Sequence, residues 1–323
     1  MINETKRSAS HSGNAFSLPL SWRFLDALEH AAMLAWPHPL RRFTPYLLLL
    51  PALLLVLILV CGLIYIAADS LHKLDLATYR LGEDYTLANY ITAYSRSVYL
   101  TILERSLAAA AIVSVITLLL AFPYAYVMVR TSSSSTRKFL LISLFLPFFI
   151  GQVVRAYGWL IILGQEGILN TLLKTIGLEG IDLIYNYWAV LLGLVQYMLP
   201  FAVLLLAPAI TAIPEEMELA SEGLGANWVS TFVHIVIPMA KPGLIGAFVV
   251  IFTLTLTDFA MPEILGGGTN DFIANAIYDS FFQISDPGLG AALSMILVTI
   301  GSILVALIFR FAGTGTLGFS QQQ

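Results

Sequence analysis

The chain has 323 residues, of which 58% are hydrophobic and 11% are charged, and its net charge is −4. A soluble domain carries roughly 25% charged residues, and a folded surface needs more polar atoms than this composition supplies. The mean hydropathy is +0.84. The composition therefore predicts an all-α integral membrane protein. It excludes soluble, collagen-like, disordered and disulfide-framework classes, and the acidic balance offers no basic surface for nucleic acid.

Six apolar blocks predict six transmembrane helices, because each is long enough for a membrane helix of about 20 residues. They cover about 45–68, 102–129, 139–163, 187–212, 243–265 and 289–311. The single cysteine, Cys61, lies in the first block and cannot form an intrachain disulfide. The polar segment before that block is too long for the leader of a signal peptide, so the first helix is expected to be retained.

Lysine and arginine residues orient the chain, because cytoplasmic segments of membrane proteins carry an excess of them. If the amino terminus is inside, the inside bases are Lys6, Arg7, Arg23, Arg41, Arg42, Arg130, Arg137, Lys138, Lys241 and Arg310. The outside bases are then Lys73, Arg80, Arg96 and Lys174. The loop 266–288 contains Asp271, Asp279 and Asp286 without a base, which fits the outside. Both termini are therefore predicted to be cytoplasmic.

The amino-terminal segment contains a stretch of helical periodicity. Residues 17–36 place Phe24, Leu25 and Leu28 at helical spacing. This pattern predicts an amphipathic helix on the inner membrane surface. An unstructured tail is the alternative.

The loop 213–241 has the pattern of a short helix–turn–helix rather than of a flexible connection. Pro214 is followed by three acids near the expected positive end of a helix dipole. Gly223 and Gly225 then allow a tight turn. A second helix is predicted over 228–237, ended by Pro238 and Pro242. An ordinary interfacial loop is the alternative.

This loop resembles the cytoplasmic coupling motif of binding-protein-dependent ABC importer permeases, written EAA…G…I.LP. Gly225, Ile235 and Pro238 match its spacing, whereas Leu219 stands at the motif glutamate and Ser221 at an alanine. In the family, this segment docks into a groove on the ATPase subunit. The resemblance implies ATPase-coupling residues Glu218, Leu219, Ala220, Ser221, Glu222, Gly225, Ala226, Ile235 and Pro238. Glu218 and Glu222 flank Leu219 and are candidates to take over the polar contact of the motif glutamate.

Three further segments are similar to spermidine/putrescine permeases of this family. They are AFPYAYVMVR at 121–130, VVRAYGWLIILGQEGILN at 153–170 and TDFAMPEILGGG at 257–268. The resemblance spans about 45–311 and implies a type I ABC importer transmembrane domain with a cytoplasmic coupling helix. It implies transport of polyamines or a related small organic cation. Amino-acid derivatives, opines and metal complexes remain open as substrates.

The resemblance also implies a domain plan and a set of partners. The plan is a cytoplasmic tail at 1–43, a first transmembrane helix with a periplasmic segment at 44–98, a permease core at 99–312 and a cytoplasmic tail at 313–323. The partners are a second homologous permease, two ABC ATPases, a periplasmic substrate-binding protein and membrane lipid. The chain has no nucleotide-binding loop of the form GxxxxGK[ST]. ATP and Mg²⁺ are therefore expected on the ATPases, with no cofactor, metal or catalytic residue in this chain.

Polar side chains inside the spans are candidates for the substrate pathway, because a charge at mid-membrane costs at least about 2.5–3.5 kcal/mol. Those in the third and fifth predicted spans are Gln152, Arg155, Tyr157, Trp159, Thr255, Asp258 and Glu263. Asp258 and Glu263 suit an ammonium group, with Trp159 and Tyr157 as cation–π partners. Arg155 repels a cation, so it either neutralises Asp258, contacts the binding protein or meets the substrate directly.

A stand-alone channel or secondary transporter is the alternative function. Such a protein needs a selectivity filter, repeated broken helices or a proton relay. The sequence shows no pattern of these kinds, and a membrane-embedded enzyme lacks a catalytic constellation.

Overall fold

A computed structural model describes residues 44–312. The tail predictions for 1–43 and 313–323, including the amphipathic helix at 17–36, lie outside these residues. Helix α1 (Thr44–Asp69) is apolar along its length. From Tyr46 onward most of its side chains are exposed on every face, as expected for a helix surrounded by lipid. The chain divides after Leu63 into two compact units.

The second unit contains the remaining membrane helices. They are α3 (Ser97–Arg130), α7 (Tyr187–Thr211), the continuous run Trp228–Leu256 and α13 (Pro287–Ala312). With α1, the described residues hold five helices long and apolar enough to span a membrane, and six if one bent pair counts as a span. The prediction of six transmembrane helices is confirmed in this sense.

The third predicted span is broken rather than straight. Helices α4 (Ser134–Phe148) and α5 (Gln152–Leu163) are separated by residues 149–151. The bend between α4 and the stretch Gln152–Thr175, which α5 begins, is 96°. Pro147 removes a backbone donor in the last turn of α4, and Gly151 supplies a flexible joint directly before α5. The short helix α6 (Ile168–Thr175) follows after two glycines.

The fifth predicted span also differs from its expected boundaries. Helix α8 (Glu215–Gly223) precedes α9 (Trp228–Thr231), a π-helical turn (Phe232–Val236) and α10 (Ile237–Leu256). Helix formation continues through Pro238 and Pro242, so the prediction that these prolines end a helix was wrong. Pro238 lies at the start of α10, directly after the wider π turn, where a missing N–H is tolerated.

Helix α10 ends at Leu256, nine residues before the predicted limit of 265. A break over 257–259 separates it from α11 (Ala260–Gly266). Gly267 ends α11 in the left-handed conformation, with φ of 58°. Helix α12 (Ile273–Tyr278) and a π-helical turn (Asp279–Gln283) complete the connection to α13.

The polar segment between α1 and α3 is folded. Strands β1 (His72–Asp75) and β2 (Arg80–Tyr85) form an antiparallel hairpin followed by helix α2 (Ala88–Ser95). The buried Asn89 donates to the carbonyls of Ser70 (3.0 Å) and His72 (2.9 Å) and joins α2 to the hairpin.

Helices α3, α7 and α10 pack around one apolar core. Small residues on α3, such as Ala109 and Ala121, are fully buried and let neighbouring backbones approach closely. Helices α7 and α10 approach so closely that a Cβ on Gly243 would collide with the side chain of Ala209. This core positions the two sites described next.

Candidate functional site

The first site is the coupling segment, defined as residues 213–241. Pro214 precedes α8, and the first turn of α8 carries three acids, which the positive end of the helix dipole favours. Gly225 has a φ of 89°, a left-handed conformation that suits glycine. The predicted helix–turn–helix is therefore confirmed, except that its second helix continues into the membrane.

Glu218 is the buried residue of α8, and its carboxylate is directed toward the end of α3. Its Oε1 accepts hydrogen bonds from Nε (2.9 Å) and Nη2 (2.6 Å) of Arg130. Its Oε2 accepts from the hydroxyl of Tyr126 at 2.6 Å. Arg130 also donates to the carbonyl of Ile213 at 2.8 Å. Both carboxylate oxygens of Glu218 are thus engaged by α3, and its role in ATPase coupling stays a prediction.

Aromatic rings reinforce this junction between α3 and the coupling segment. Trp228 and Phe232 stack with centroids 5.4 Å apart. Tyr126 meets Phe232 edge-on at 5.1 Å, and Phe122 meets the same ring at 5.3 Å. The charged contact and the ring cluster together tie α8 and α9 to α3.

The outer face of the coupling segment is apolar at the position of the motif glutamate. Leu219 is 64% exposed and Leu224 is 90% exposed, while Ala220 and Glu222 are also exposed. Ser221, which replaces a motif alanine, contacts the hydroxyl of Thr231 at 3.0 Å. Among the other motif residues, Ala226 and Ile235 are half-buried and Pro238 is exposed.

The second site is the break cluster, defined as Gln152, Arg155, Tyr197 and Asp258. The Gln152 amide donates to the buried carboxylate of Asp258. The other oxygen of Asp258 accepts from the backbone N–H of Met261 at 3.0 Å and so caps α11. The guanidinium carbon of Arg155 lies 4.7 Å from the centre of the Tyr197 ring. Three candidates from two separated segments thus come together.

Arg155 does not neutralise Asp258 in this conformation. Both salt bridges found within residues 44–312 belong to Arg130, with Glu215 and Glu218. Of the three roles considered for Arg155, the ion pair with Asp258 is thus absent from these residues, and Gln152 is the side chain that donates to the carboxylate.

The remaining pathway candidates are spread around this cluster. Trp159 donates to Gln196 at 3.5 Å and lines an apolar cavity of about 610 Å³ between α3, α4, α5 and α7. Tyr157 is 55% exposed, and the hydroxyl of Thr255 is buried without a partner in residues 44–312.

Glu263 belongs to an acidic group that sequence reasoning only partly found. Its carboxylate accepts from the amide of Asn275 at 2.8 Å. Burial raises the pKa of the Asp271 carboxyl, and the nearby carboxylates of Asp279 and Glu263 raise it further. Burial and Glu263 likewise raise the pKa of Asp279. Asp271 and Asp279 served only as orientation signals in the sequence, because their proximity to Glu263 depends on the fold of α11 and α12.

A row of aromatic rings starts beside this acidic group. Phe259 lies 4.9 Å from Tyr278, which lies 4.8 Å from Phe282. Tyr278 and Phe282 are partly exposed. Carboxylates and aromatic faces together are the groups that attract an ammonium ion.

Residues 127–312 match the family model of the binding-protein-dependent transport system inner membrane component. The chain belongs to this family. It is thus a multi-pass inner-membrane permease of an ABC importer, as the coupling motif implied. The matched region includes the coupling segment and the break cluster.

Two curated relatives cover most of the chain. It is 29% identical over 262 residues to the inner membrane ABC transporter permease protein YdcU of Escherichia coli, covering 77% of this chain and 83% of that protein. It is 31% identical over 228 residues to the spermidine/putrescine transport system permease protein PotB of Escherichia coli, covering 70% and 82%.

A solved structure shows the same fold. A chain of a bacterial alginate ABC transporter, crystallised with its alginate-bound periplasmic protein, superposes with a TM-score of 0.73 at 18% identity. The match covers 86% of this chain and 97% of that one. The predicted type I importer fold is confirmed.

Proposed function

We propose that this permease imports polyamines such as spermidine and putrescine, or a related small organic cation. The observation that carries the solute class is the acidic group of Glu263, Asp271 and Asp279 beside exposed aromatic rings. The relative PotB, named for spermidine and putrescine, supports the same class. A solute with several ammonium groups gains from each carboxylate that it meets.

The chain works with partners that supply energy and solute. Two ABC ATPases bind ATP and Mg²⁺, a second homologous permease completes the pathway, and a periplasmic binding protein delivers the solute. The chain itself needs no cofactor and breaks no covalent bond. Its exposed Leu219 and Leu224 form the centre of the surface offered to an ATPase.

Transport follows from the connection between the coupling segment and α3. When the ATPases close on ATP, they displace α8, and the Glu218–Arg130 contact moves the end of α3 with it. The permease pair then changes from inward-open to outward-open, which is a rigid-body transition between two states. ATP hydrolysis returns the pair and releases the solute inside.

The distribution of bases sets the orientation. Arg130, Arg137, Lys138 and Lys241 lie at one end of the spans, near the coupling segment. Both termini and the coupling segment are therefore cytoplasmic, and the acidic group faces the periplasm.

A stand-alone channel or secondary transporter is not favoured. A protein of that kind has no use for an anchored coupling segment with an exposed apolar face. Membership in an importer family counts against it as well.

The proposed function is tested by purifying the complex from its own host through an affinity tag on this chain. We expect mass spectrometry to find an ABC ATPase and a second permease, and vesicles to take up labelled putrescine or spermidine only with ATP. Replacing the nucleotide-loop lysine of the ATPase is the control and abolishes uptake. Absence of an ATPase from the complex contradicts the importer. ATP-driven transport of neither polyamine contradicts the solute class alone.

A further inference from the structure

Arg155 contains the unexplained polar atoms of the break cluster. Its Nε and Nη1 atoms are buried and have no hydrogen-bond partner within residues 44–312. Its guanidinium lies against the face of the Tyr197 ring. Burying an N–H of a charged group without a hydrogen-bond acceptor destabilises the protein, and the cost is larger inside a membrane. This arrangement therefore favours a second conformation in which Arg155 gains an acceptor.

Asp258 is the acceptor to which this helix already donates. Gln152, which now donates to its carboxylate, lies three residues before Arg155 on α5. Residues at this spacing share one helix face, with Cβ atoms about 5–6 Å apart. A shift of α5 along its axis by three residues, about 4.5 Å, with a rotation of about 60°, would bring Arg155 to the present position of Gln152.

Both partners lie at joints of broken helices. Gln152 is the first residue of α5, directly after the 96° bend from α4. Asp258 lies in the break between α10 and α11 and caps α11 through the N–H of Met261. A movement of α5 relative to α11 can therefore exchange the donor without unwinding either helix.

We propose that Gln152 and Arg155 are alternative donors to Asp258 in the two conformations of the transport cycle. Arg155 is a positioning residue that stabilises the second conformation by forming an ion pair with Asp258. In that conformation the guanidinium leaves the Tyr197 ring, and the neutral Gln152 amide no longer donates to Asp258. This inference rests on the proposed function, because it requires a protein that alternates between two states.

The exchange has a mechanistic advantage in a membrane. Asp258 keeps a hydrogen-bond donor in both states, so its carboxylate is never left without one at depth. The ion pair forms only in the second state, so it contributes to the difference between the two states.

The test compares Arg155→Met, Asp258→Asn and the double variant in the complete tagged complex. Uptake of labelled putrescine and spermidine, ATP hydrolysis and trapping by ATP with orthovanadate are measured. We expect each single variant to lower maximal uptake by at least about tenfold with KM unchanged. Uptake by the double variant should lie within about twofold of uptake by the poorer single variant, because both substitutions remove the same Arg155–Asp258 contact.

Two further variants separate positioning from a structural role. Arg155→Lys keeps the charge and is expected to retain vanadate trapping, whereas Arg155→Met loses most of it. Exchange of the two charges, Arg155→Asp with Asp258→Arg, is expected to restore part of the uptake. Lys174→Met, which removes an exposed base of α6, is the matched control and should behave as the unchanged protein. If Asp258→Asn does not assemble, the trapping of Arg155→Met against Arg155→Lys decides the result.

The results distinguish this inference from the proposed function. The donor exchange alone is overturned if the unsubstituted complex hydrolyses ATP and the Arg155→Met variant shows normal vanadate trapping and normal uptake. Additive losses in the double variant overturn it as well. An unchanged complex without ATPase activity overturns both.

Discussion

The guanidinium of Arg130 and the carboxylate of Glu218 join the end of a membrane helix to the coupling helix. Nε and Nη2 of Arg130 both donate to one oxygen of Glu218, at 2.9 and 2.6 Å, and the pair is largely shielded from solvent. Tyr126 occupies the other oxygen. Donors on both carboxylate oxygens restrict the rotation of the Glu218 side chain, and hydrogen bonds to an ionised group are stronger than neutral ones. We infer that α8 transmits displacement to α3 because this joint cannot rotate freely.

Glu218→Gln tests this joint. The variant keeps the shape of the side chain but removes its charge, so the hydrogen bonds from Arg130 weaken. We expect the contact between α8 and α3 to lose about 1.5–3 kcal/mol of its stabilising free energy, which is the range for a hydrogen bond to a charged group. The functional result is more ATP hydrolysed per solute imported, measured on the purified complex in vesicles.

The matched control is Glu216→Gln, because Glu216 is an exposed acid in the same turn of α8. It should leave the ratio of hydrolysis to uptake unchanged. Equal effects of the two variants would show that the charge of α8, rather than the Arg130 joint, governs coupling.

Gly225→Val tests the turn of the coupling segment. Gly225 has a φ of 89°, and a left-handed conformation costs an ordinary residue about 1–2 kcal/mol, more for a β-branched one. We expect the turn to shift Leu224, which lies beside it at the exposed surface, and uptake to fall while the chain still inserts. Membrane content is measured by immunoblot and uptake in the same vesicles. Gly223→Ala is the control, since Gly223 is helical and a Cβ there meets no atom within 4 Å.

The coupling segment shows how far sequence reasoning reaches. Its helix–turn–helix was predictable because proline, acids and glycine act on the backbone locally. The inward direction of Glu218 was not predictable, because it depends on Arg130, 88 residues earlier in the chain. In the sequence, Arg130 counts as a base that orients the chain and as the last residue of a family-like segment, and neither points to Glu218.

The spans show the same division between local and distant causes. Hydropathy located all of them, since it averages over many residues. It missed the 96° bend before Gln152 and the early end of α10 at Leu256. Apolar residues on both sides of each break hide it in the average, and the polar contact between Gln152 and Asp258 across the breaks joins positions 106 residues apart.

Gly243→Ala tests the packing of α10 against α7. A methyl group at this position would collide with Ala209. Insertion of a methyl group into a packed core costs about 1–3 kcal/mol. We expect a lower thermal unfolding midpoint of the purified complex. Gly246→Ala, one turn later on the same helix, has no atom within 4 Å of the new methyl group and should be neutral or slightly stabilising. A lowered unfolding midpoint in both variants would contradict this account, because only the methyl group at position 243 meets a neighbour.

Two aspartates outside the spans should respond to pH in opposite directions. Burial and nearby carboxylates raise the pKa of Asp271, so its ionisation opposes folding. Its penalty is absent below the unfolded-state pKa and develops as the pH rises through the raised pKa. Asp271→Asn should therefore raise the unfolding midpoint at pH 7, and the gain should disappear as the pH falls through the raised pKa.

Asp75 is the matched comparison with the reverse sign. The backbone N–H of Ala77 and the hydroxyl of Thr78 hold the pKa of Asp75 below its ordinary value. Its contribution to stability is present above the unfolded-state pKa and is lost as the pH falls through the lowered folded-state pKa. Asp75→Asn should therefore lower the midpoint at pH 7, and this difference should vanish in acid. The measurement is the thermal unfolding midpoint of both variants and of the unsubstituted complex in detergent, from pH 7 down to the lowest pH at which the complex stays in solution. Shifts of the same sign at pH 7 would show that ionisation of the Asp271 carboxyl does not oppose folding.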